Sequence, residues 1–346
     1  SEQRQRTIVL KELEGVVERY GRPRRSRIIG NDAIPDLTEL ESQAVAEIAD
    51  DPCVISLTAS GLIGREPTGT SRSYSPSRHD VITSVVTTNL RQPVLAISSA
   101  GKLHRVGAID VPEVGGRSRG KAFGEVYPAD RGETVLAIFG PDGDPIVVVT
   151  ADGMAKRVER SALAELRSGR PAIKLAPKDR VVAAFAATED EEVVIVASDA
   201  QALRTPVSSI SVQGPAAKGV AGIKLKGTAR VVGAGPAPSD GAPGSGPETV
   251  AITVTDRGTA KATATEEIPS KGRVTGGVRL TRFKDEQRID FASVGPLERT
   301  MAIVGQADAA TKPDNTPQAL TMRTTRRDGT SSTTERRILA VGSLRW

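Results

Sequence analysis

A strand–turn–strand unit that occurs five times constrains this chain more than any other feature. The clearest copy runs from Pro145 to Arg157 and reads PIVVVTADGMAKR, an apolar strand, an Asp-Gly turn and a return strand with two bases. Asp-Gly is favoured in tight hairpin turns because both central residues need positive φ. Similar copies occupy 54–65, 94–105, 193–204 and 250–261. The sequence therefore predicts a repeat protein built from β-hairpins.

The period of the repeat predicts the architecture. The turn positions Gly61, Gly101, Gly153, Gln201 and Gly258 lie 40 to 57 residues apart, which leaves room for about four strands per unit. Such spacing is typical of radially repeated, bladed β folds. We predict a six-bladed, all-β, propeller-like fold in which the last unit, 301–346, is degenerate or closes the ring.

The second half of each unit also repeats. The tripeptides Ile173-Lys174-Leu175, Ile223-Lys224-Leu225 and Val278-Arg279-Leu280 alternate apolar, basic, apolar, which directs the apolar side chains inward and the base to solvent. Further strands are predicted at 181–185, 229–232, 288–293, 301–304, 319–324 and 338–341.

The N-terminal region differs from the repeats. Residues 7–20 have helical spacing, and four arginines follow the helix within 22–27. We assign 1–30 as a helix with a basic tail, expect its apolar face to pack on a parent domain, and interpret the chain as a fragment of a longer protein. Residues 31–52 form an acidic linker, with a short helix expected at 38–48. The Gly/Pro-rich stretch 233–247 is predicted to be a flexible insertion between strands.

Charge is distributed unevenly along the chain. The net charge is +5, but 31–52 holds seven acids and no base, whereas 53–346 holds 39 bases against 31 acids. A basic body is typical of proteins that bind a polyanion, most often nucleic acid. Ordinary solvated surface charge explains the same numbers equally well.

The first candidate site is the base that ends each hairpin. Arg65, Arg105, Arg157, Arg204 and Lys261 would form a band around a radially repeated body, suited to the phosphates of a curved duplex. A structural or solubility role is the alternative for any single one of them.

The second candidate site is a set of glycine-rich basic loops. These loops are 114–121, 218–226 and 271–279; glycine allows close backbone approach to phosphates, and arginine offers bidentate donors. None has the spacing of a phosphate-binding Walker loop. Blade-to-blade connections that need glycine for their turns are the alternative.

Enzyme chemistry finds little support. The only histidines, His79 and His104, lack zinc-site spacing, and Cys53 precedes an apolar strand as a buried structural cysteine would. The acidic run Glu189–Glu192 is better explained as a solvated loop than as a cation site. We predict no catalytic residue, metal or cofactor in this fragment.

Taken together, these features resemble the C-terminal domain of the A subunit of bacterial type II topoisomerases, the gyrase A and topoisomerase IV ParC family. The resemblance rests on Thr150–Arg157, on Gly219–Leu225, on the acidic linker and on Leu13–Arg25, which resembles the end of that family's coiled-coil arm. It spans almost the whole chain.

The resemblance implies a β-pinwheel that wraps duplex DNA around a basic rim. The wrapped segment would be presented to the parent enzyme for ATP-dependent strand passage, giving relaxation, decatenation or supercoiling. The implied partners are double-stranded DNA, the breakage–reunion core of the same polypeptide, and the ATPase B subunit. ATP and Mg would be used in those other domains. We expect a cytoplasmic, nucleoid-associated protein whose isolated fragment is a monomer.

One loop departs from the gyrase pattern. Gyrases carry a Gln-basic-Arg-Gly-Gly-basic-Gly box in the first blade, whereas the corresponding loop here, Gly69–Asp80, lacks it; the nearest likeness is Gly115–Lys121. This departure favours a topoisomerase IV-like or atypical member of the family.

Blade boundaries and DNA-binding residues are predicted from these features. The blades are placed at 53–92, 93–143, 144–190, 191–247, 248–300 and 301–346. The alternative function is a propeller-type protein-interaction scaffold, against which the 3% aromatic content argues. The predicted DNA-binding residues are Arg65, Arg72, Arg78, Arg105, Arg117, Arg119, Lys121, Lys156, Arg157, Arg170, Lys174, Arg204, Lys218, Lys224, Lys226, Lys261, Lys271, Arg273 and Arg279.

Overall fold

The computed structural model describes residues 2–21, 49–69, 80–114, 120–127, 129–239, 248–297, 301–305 and 316–343. The basic tail, most of the acidic linker with its expected helix, and the predicted site residues Arg72, Arg78, Arg117 and Arg119 lie outside these ranges. The chain divides into two compact units, Ser1–Ile48 and Ala49–Trp346.

The first unit contains helix α1, Glu2–Tyr20. The helix begins five residues earlier than the predicted 7–20 and ends at Gly21, whose amide donates to the Val17 carbonyl at 2.7 Å. None of its residues is buried, and its apolar side chains, among them Leu13 and Tyr20, are exposed. The packing of this face on a parent domain stays a prediction.

The second unit is built from antiparallel hairpins, as the repeat predicts. All five predicted hairpins are present, with turn glycines Gly61, Gly101, Gly153 and Gly258 at positive φ and Ala200 in the same conformation in the fourth. The hairpin strands are β1 Pro52–Thr58 and β2 Leu62–Pro67, β4 Pro93–Ser98 and β5 Leu103–Gly107, β8 Ile146–Thr150 and β9 Met154–Val158, β11 Glu192–Ala197 and β12 Gln201–Pro206, and β15 Thr249–Thr255 and β16 Ala260–Ala264.

A third strand completes the inner side of each sheet by pairing with the first hairpin strand. In chain order these inner strands are β3 Ile82–Asn89, β7 Val135–Phe139, β10 Val181–Ala186, β14 Val231–Ala237 and β18 Ile289–Pro296. The sixth sheet consists of β19 Met301–Gly305, β20 Gln318–Ala319 and β21 Arg337–Gly342. We call the sheets blades one to six in this order.

The outermost strand of a blade comes from the following unit, which the sequence did not indicate. β6 (Lys121–Ala122) follows the second hairpin but pairs with β2 in blade one, and β13 (Val220–Ala221) and β17 (Val278–Arg279) extend blades three and four in the same way. In blades two and five, single bridges such as Lys102 to Pro171 and Ala260 to Ser332 take this place. We call these stretches the outer segments. Because each unit enters the sheet before it, neighbouring blades are interlocked.

Short helices occupy the connections. They are α2 Phe123–Val126, α3 Arg160–Ala164 and the 3₁₀ turns Ala108–Asp110, Val207–Ser209 and Thr265–Glu267. Their brevity leaves the second unit almost wholly β, so the predicted all-β pinwheel class is confirmed.

The core lies between blades, not within them. In β8 the side chains of Ile146 and Val148 join a cluster shared with blade two, whereas those of Val147 and Val149 join a cluster shared with blade four. Similar clusters join blades one and two, four and five, and five and six. Both faces of these strands are therefore buried, which explains why their sequences are continuous β-branched runs.

The ring of blades closes. The amide of Ile82 in β3 and the amide of Ser343, which follows β21, each donate to the other residue's carbonyl at 2.7 Å. Gly342 permits this approach, because a Cβ there would lie 2.4 Å from the Ile82 carbonyl oxygen. The sixth unit, degenerate in sequence, thus joins the first blade.

Two predictions about irregular regions need correction. Gly233 to Ala237, assigned to a flexible insertion, belong to β14; glycine is needed there because a Cβ at Gly233 would lie 2.1 Å from the Ala292 carbonyl oxygen of β18. The strand predicted at 319–324 is limited to β20, and most of 320–334 instead passes along blade five.

Candidate nucleic-acid interface

The repeated base does not occupy one structural position. In four of the five hairpins the base lies opposite the fourth residue from the end of the first strand, as Arg157 lies opposite Val147. These four bases are Arg65, Arg105, Arg157 and Arg204. Lys261 lies opposite Thr253, one place nearer the turn, which is the position of Lys156 and His104. Because successive residues of a strand point to opposite faces, this one-residue offset puts Lys261 on the other side of its sheet.

Arg65 and Arg157 bind the connection that follows the next hairpin of the chain, and Arg204 binds the segment that follows β14. The Nε atoms of Arg65 and Arg157 donate to the carbonyls of Val111 at 3.2 Å and Ile210 at 2.6 Å. The Arg204 guanidinium donates to the Pro238 carbonyl at 2.6 Å and pairs with buried Glu192.

The prediction of a solvent-facing band at this position is therefore wrong. Arg157 and Arg204 are buried, as are Lys156 and Lys261 on the other face, and Arg65 keeps only 13% of its side chain exposed beside Glu113. A base whose donors are already satisfied by carbonyls or carboxylates inside the protein is not available to phosphate. Arg105 alone is exposed, and it donates to the Ala164 carbonyl at 3.1 Å.

Lys156 and Lys261 donate to backbone carbonyls. The Lys156 Nζ lies 2.7 Å from the Ala172 oxygen and 2.9 Å from the Gly214 oxygen, and the Lys261 Nζ lies 2.6 Å from the Leu280 oxygen. Burial lowers the pKa of Lys156 to about 8. Burial also lowers the pKa of Lys261 to about 8, against the opposing charges of Asp328 and Glu267.

His104 occupies the same register position in blade two. Its Nε2 lies 2.6 Å from Oε1 of Glu133, and both side chains are 2% exposed. Burial opposes the charge of Glu133, but hydrogen bonds from Ser98 and His104 outweigh it and lower its pKa. This histidine is a core residue paired with a carboxylate.

Half of the exposed bases that the structure describes in the second unit, 11 of 22, lie on the outer segments. Lys121 lies in β6, Arg170 and Lys174 flank the bridge to blade two, and Lys218 immediately precedes the glycine before β13. Arg273 is only partly exposed and donates to the Ala221 carbonyl at 2.8 Å, joining two outer segments. The exposed bases of the outer segments, which we call the basic rim, are Lys121, Arg170, Lys174, Lys218, Lys224, Lys226, Lys271, Arg279, Arg282, Arg323 and Arg326.

Backbone hydrogen bonds connect successive outer segments. The Lys174 amide donates to the Ala217 carbonyl at 3.2 Å, the Lys224 amide to Thr275 at 3.0 Å, and the Arg282 amide to Gly329 at 2.9 Å. These equivalent bonds identify Arg282, not Arg279, as the counterpart of Lys174 and Lys224. Sequence reasoning missed Arg282, Arg323 and Arg326 as interface candidates.

A left-handed glycine precedes the outer segments and explains much of the glycine in the basic loops. Gly120, Gly169, Gly219 and Gly277 have φ between +68° and +88°. A Cβ would lie 2.3 Å from a carbonyl oxygen of the adjacent hairpin at Gly120, 2.6 Å at Gly219 and 2.1 Å at Gly277. At these positions the structure supports the alternative interpretation, a connection that needs glycine for close packing.

Ion pairs distinguish the two ends of the rim. Asp328 pairs with Arg279 and Arg282, and these arginines lower its pKa. Within the described residues, no ion pair involves the rim side chains of blades one to three or Lys271. The described residues also contain no group of three His, Cys, Asp or Glu placed to hold a metal ion.

Blade five is joined to the sixth unit by a buried carboxylate. Glu286 accepts hydrogen bonds from the Thr259 hydroxyl at 2.7 Å, the Ser331 hydroxyl at 2.8 Å and the Lys284 amide at 2.7 Å. Burial opposes its charge, but these donors outweigh the burial and lower the pKa of Glu286 to about 2.

The fold and the rim define a β-pinwheel domain with a basic periphery. Residues 144–188, 191–238 and 251–295 match the family described as DNA gyrase C-terminal domain, beta-propeller. These three segments are the third to fifth units, and the resemblance recognised from the sequence is confirmed.

Relatives agree with the family match. The gyrase A protein of Salmonella typhimurium is 26% identical over 286 residues, covering 78% of this chain and 31% of the relative. The gyrase A protein of Kosmotoga olearia is 29% identical over 317 residues, covering 86% and 36%. The chain thus spans about a third of the length of these relatives.

Solved structures share the fold at lower identity. A C-terminal domain of DNA topoisomerase IV superposes with a TM-score of 0.72 at 19% identity, covering 85% of this chain and 93% of that one. A DNA gyrase A C-terminal domain gives 0.58 at 18% identity, covering 85% and 99%. Within the described residues, no helix has both the length and the apolar character needed to cross a membrane.

Proposed function

We propose that this chain is a DNA-binding and DNA-wrapping domain of a type II topoisomerase, carried on its gyrase A-type polypeptide. The observation that carries the proposal is the basic rim, whose exposed lysines and arginines lie on outer segments hydrogen-bonded to one another from blade to blade. Lysine and arginine neutralise phosphates without reading sequence, so the rim suits a duplex of any sequence.

The arrangement of the rim favours bending. A duplex that follows bases on successive blades has to curve, and the added phosphate contacts offset the cost of bending it. The outer segments of blades two and three contribute most to this path, because Lys174, Lys218, Lys224 and Lys226 are exposed there without ion pairs among the described residues. The outer segment of blade four contributes less, because Asp328 pairs with its Arg279 and Arg282 and neutralises part of their charge.

In the parent enzyme the wrapped segment would be presented for ATP-dependent strand passage. The proposed partners are the breakage–reunion core of the same polypeptide, and the ATPase B subunit, and they would supply the catalytic residues, ATP and Mg. The proposed site of action is the bacterial cytoplasm, at the nucleoid. The missing first-blade box supports relaxation and decatenation over supercoiling as the activity of the parent.

The test is binding of the 346-residue chain to linear duplexes of about 20 and about 150 base pairs across a salt series. We expect affinity to rise with duplex length, and log affinity to fall with log salt at a slope equivalent to several phosphates, about 0.9 each. The double variant K174A/K224A should reduce that slope by about 2.

The matched control is R131A/R257A, which removes two exposed charges outside the outer segments. It should leave the slope nearly unchanged. Length-independent binding with a slope of one or two contacts would reject wrapping and support a protein-interaction scaffold instead.

A further inference from the structure

Lys156 provides an internal cation at the junction of two outer segments. Its side chain is 0% exposed, and its Nζ lies 2.7 Å from the Ala172 oxygen, 2.9 Å from those of Gly214 and Pro215, and 3.2 Å from that of Ala217. We call these four oxygens the carbonyl cage. An ammonium has three N–H donors, so all of them find acceptors here.

The cage joins two different units of the chain. Ala172 belongs to the third unit and lies between the rim bases Arg170 and Lys174, whereas the other three oxygens belong to the fourth unit, just before Lys218. Carbonyl oxygens that converge in a buried site repel one another unless a donor lies between them. The ammonium therefore sets the distance between rim bases of adjacent outer segments.

Blade five repeats the arrangement. Lys261, at the register position of Lys156, donates to the Leu280 oxygen of the fifth unit at 2.6 Å and to the Gly329 oxygen of the sixth at 3.4 Å. Leu280 lies between the rim bases Arg279 and Arg282. The charged groups near this ammonium are Asp328, Glu267 and Arg327, whereas no charged side chain among the described residues pairs with Lys156.

We propose that Lys156 and Lys261 are positioning residues for DNA binding: each holds two neighbouring outer segments together and so fixes the spacing of the rim bases that contact phosphates. The inference rests on the proposed DNA-binding function. Neither lysine touches DNA itself, which is what distinguishes this role from the band predicted from the sequence.

The protonation state supports the same role. With a pKa lowered to about 8 by burial, Lys156 is about nine-tenths ammonium at pH 7 and mostly neutral amine at about pH 9.5. The neutral form has one N–H fewer and no charge. The cage is therefore complete at neutral pH and weakened above about pH 8.

The decisive variant is K156M in the full 346-residue chain, because methionine keeps an unbranched apolar stem and removes the ammonium. The matched control is K224M, the same substitution at an exposed rim lysine with no described side-chain partner. If K156M does not fold, K156L replaces it, since blade four carries buried Leu203 at this register position.

Two readouts separate positioning from general stability. We expect K156M to speed amide hydrogen exchange in 170–175 and 214–222 by about tenfold relative to β8 and β9, and to weaken binding of a duplex of about 150 base pairs by about tenfold. K224M should lower the salt slope by about 0.9 and leave exchange unchanged. At about pH 9.5 the wild-type chain should lose protection in the same two segments without any substitution, once the exchange rates are corrected for the intrinsic effect of pH.

The proposal is overturned if the folded variant keeps wild-type exchange in the two segments or keeps wild-type DNA affinity. Failure of the DNA-binding function gives a different result, because the wild-type chain itself would then bind without a multi-phosphate salt slope. The exchange measurement needs no DNA and tests the carbonyl cage in either case.

Discussion

Substituting Gly277 by alanine tests the interlocking of the blades. Gly277 has φ +68°, and an added Cβ would lie 2.1 Å from the carbonyl oxygen and 2.5 Å from the carbonyl carbon of Ala202 in β12. Left-handed backbone costs an alanine about 1–2 kcal/mol, and overpacking adds about 1–3 kcal/mol. The neighbouring atoms are backbone and cannot rotate away, so we expect G277A to lower the free energy of unfolding by about 2–5 kcal/mol.

Gly272 is the matched control in the same loop. A Cβ there meets no atom within 4 Å, so G272A should change stability by less than about 0.5 kcal/mol. Urea unfolding followed by circular dichroism measures both variants. Equal stability of G277A and G272A would refute the idea that left-handed glycines lock each outer segment onto the preceding blade.

Three further predictions concern buried charged groups and ring closure. The pKa of Glu286 falls from 4.5 in the unfolded chain to about 2 in the folded chain, so its charged form stabilises the fold above pH 4.5 and this contribution is lost as the pH falls from 4.5 to 2. Urea unfolding of E286Q should lack this part of the pH dependence, and a pH profile identical to that of the wild-type chain would exclude the hydrogen-bond network. R204M should lower the free energy of unfolding by about 3–5 kcal/mol, because it leaves the Glu192 carboxylate buried without its cation. The double variant E192Q/R204M should lose less stability, and an equal loss in the two variants would argue against the ion pair. G342A should speed limited proteolysis of the ring, whereas G295A, whose Cβ meets nothing within 4 Å, should not; equal cleavage would count against closure through β21.

The hairpins could be predicted because their signals are local. Apolar β-branched runs, a turn glycine and a return strand occur within about twelve residues, and the strands fold as that pattern indicates. The pairing of each outer segment with the blade of the preceding unit could not be predicted from such local signals. It depends on pairing between residues far apart in sequence, such as Ala155 with Val220, and two-residue strands carry almost no pattern.

The repeat pattern does not predict which face of the sheet each base occupies, because the distance from the turn glycine to the base varies by one residue between copies. Arg65, Arg105 and Arg157 lie four residues after the turn glycine, whereas Lys156 and Lys261 lie three residues after it. That single residue decides which face a side chain occupies.

Arg282 could have been found by a similar count. Lys174, Lys224 and Arg282 each lie five residues after the left-handed glycine of their outer segment. The apolar–basic–apolar pattern points to Arg279 as the counterpart of Lys174 and Lys224. Hydrophobicity alone does not define the register in which an outer segment pairs with its blade. The same count places Glu125 at this position in the segment that covers blade one, where the rim carries an acid.

We expect the exposed bases of the outer segments, and not the repeated bases of the hairpins, to contact DNA. Amine labelling of the 346-residue chain, followed lysine by lysine by mass spectrometry with and without a duplex of about 150 base pairs, tests it most directly. Lys156 and Lys261 should stay unlabelled in both samples, and the exposed Lys178, outside the rim, should react equally in both. The duplex should slow labelling about fivefold or more at the rim lysines Lys121, Lys174, Lys218, Lys224, Lys226 and Lys271. Unchanged labelling of these lysines in the presence of bound DNA would show that the basic rim is not the DNA-binding surface.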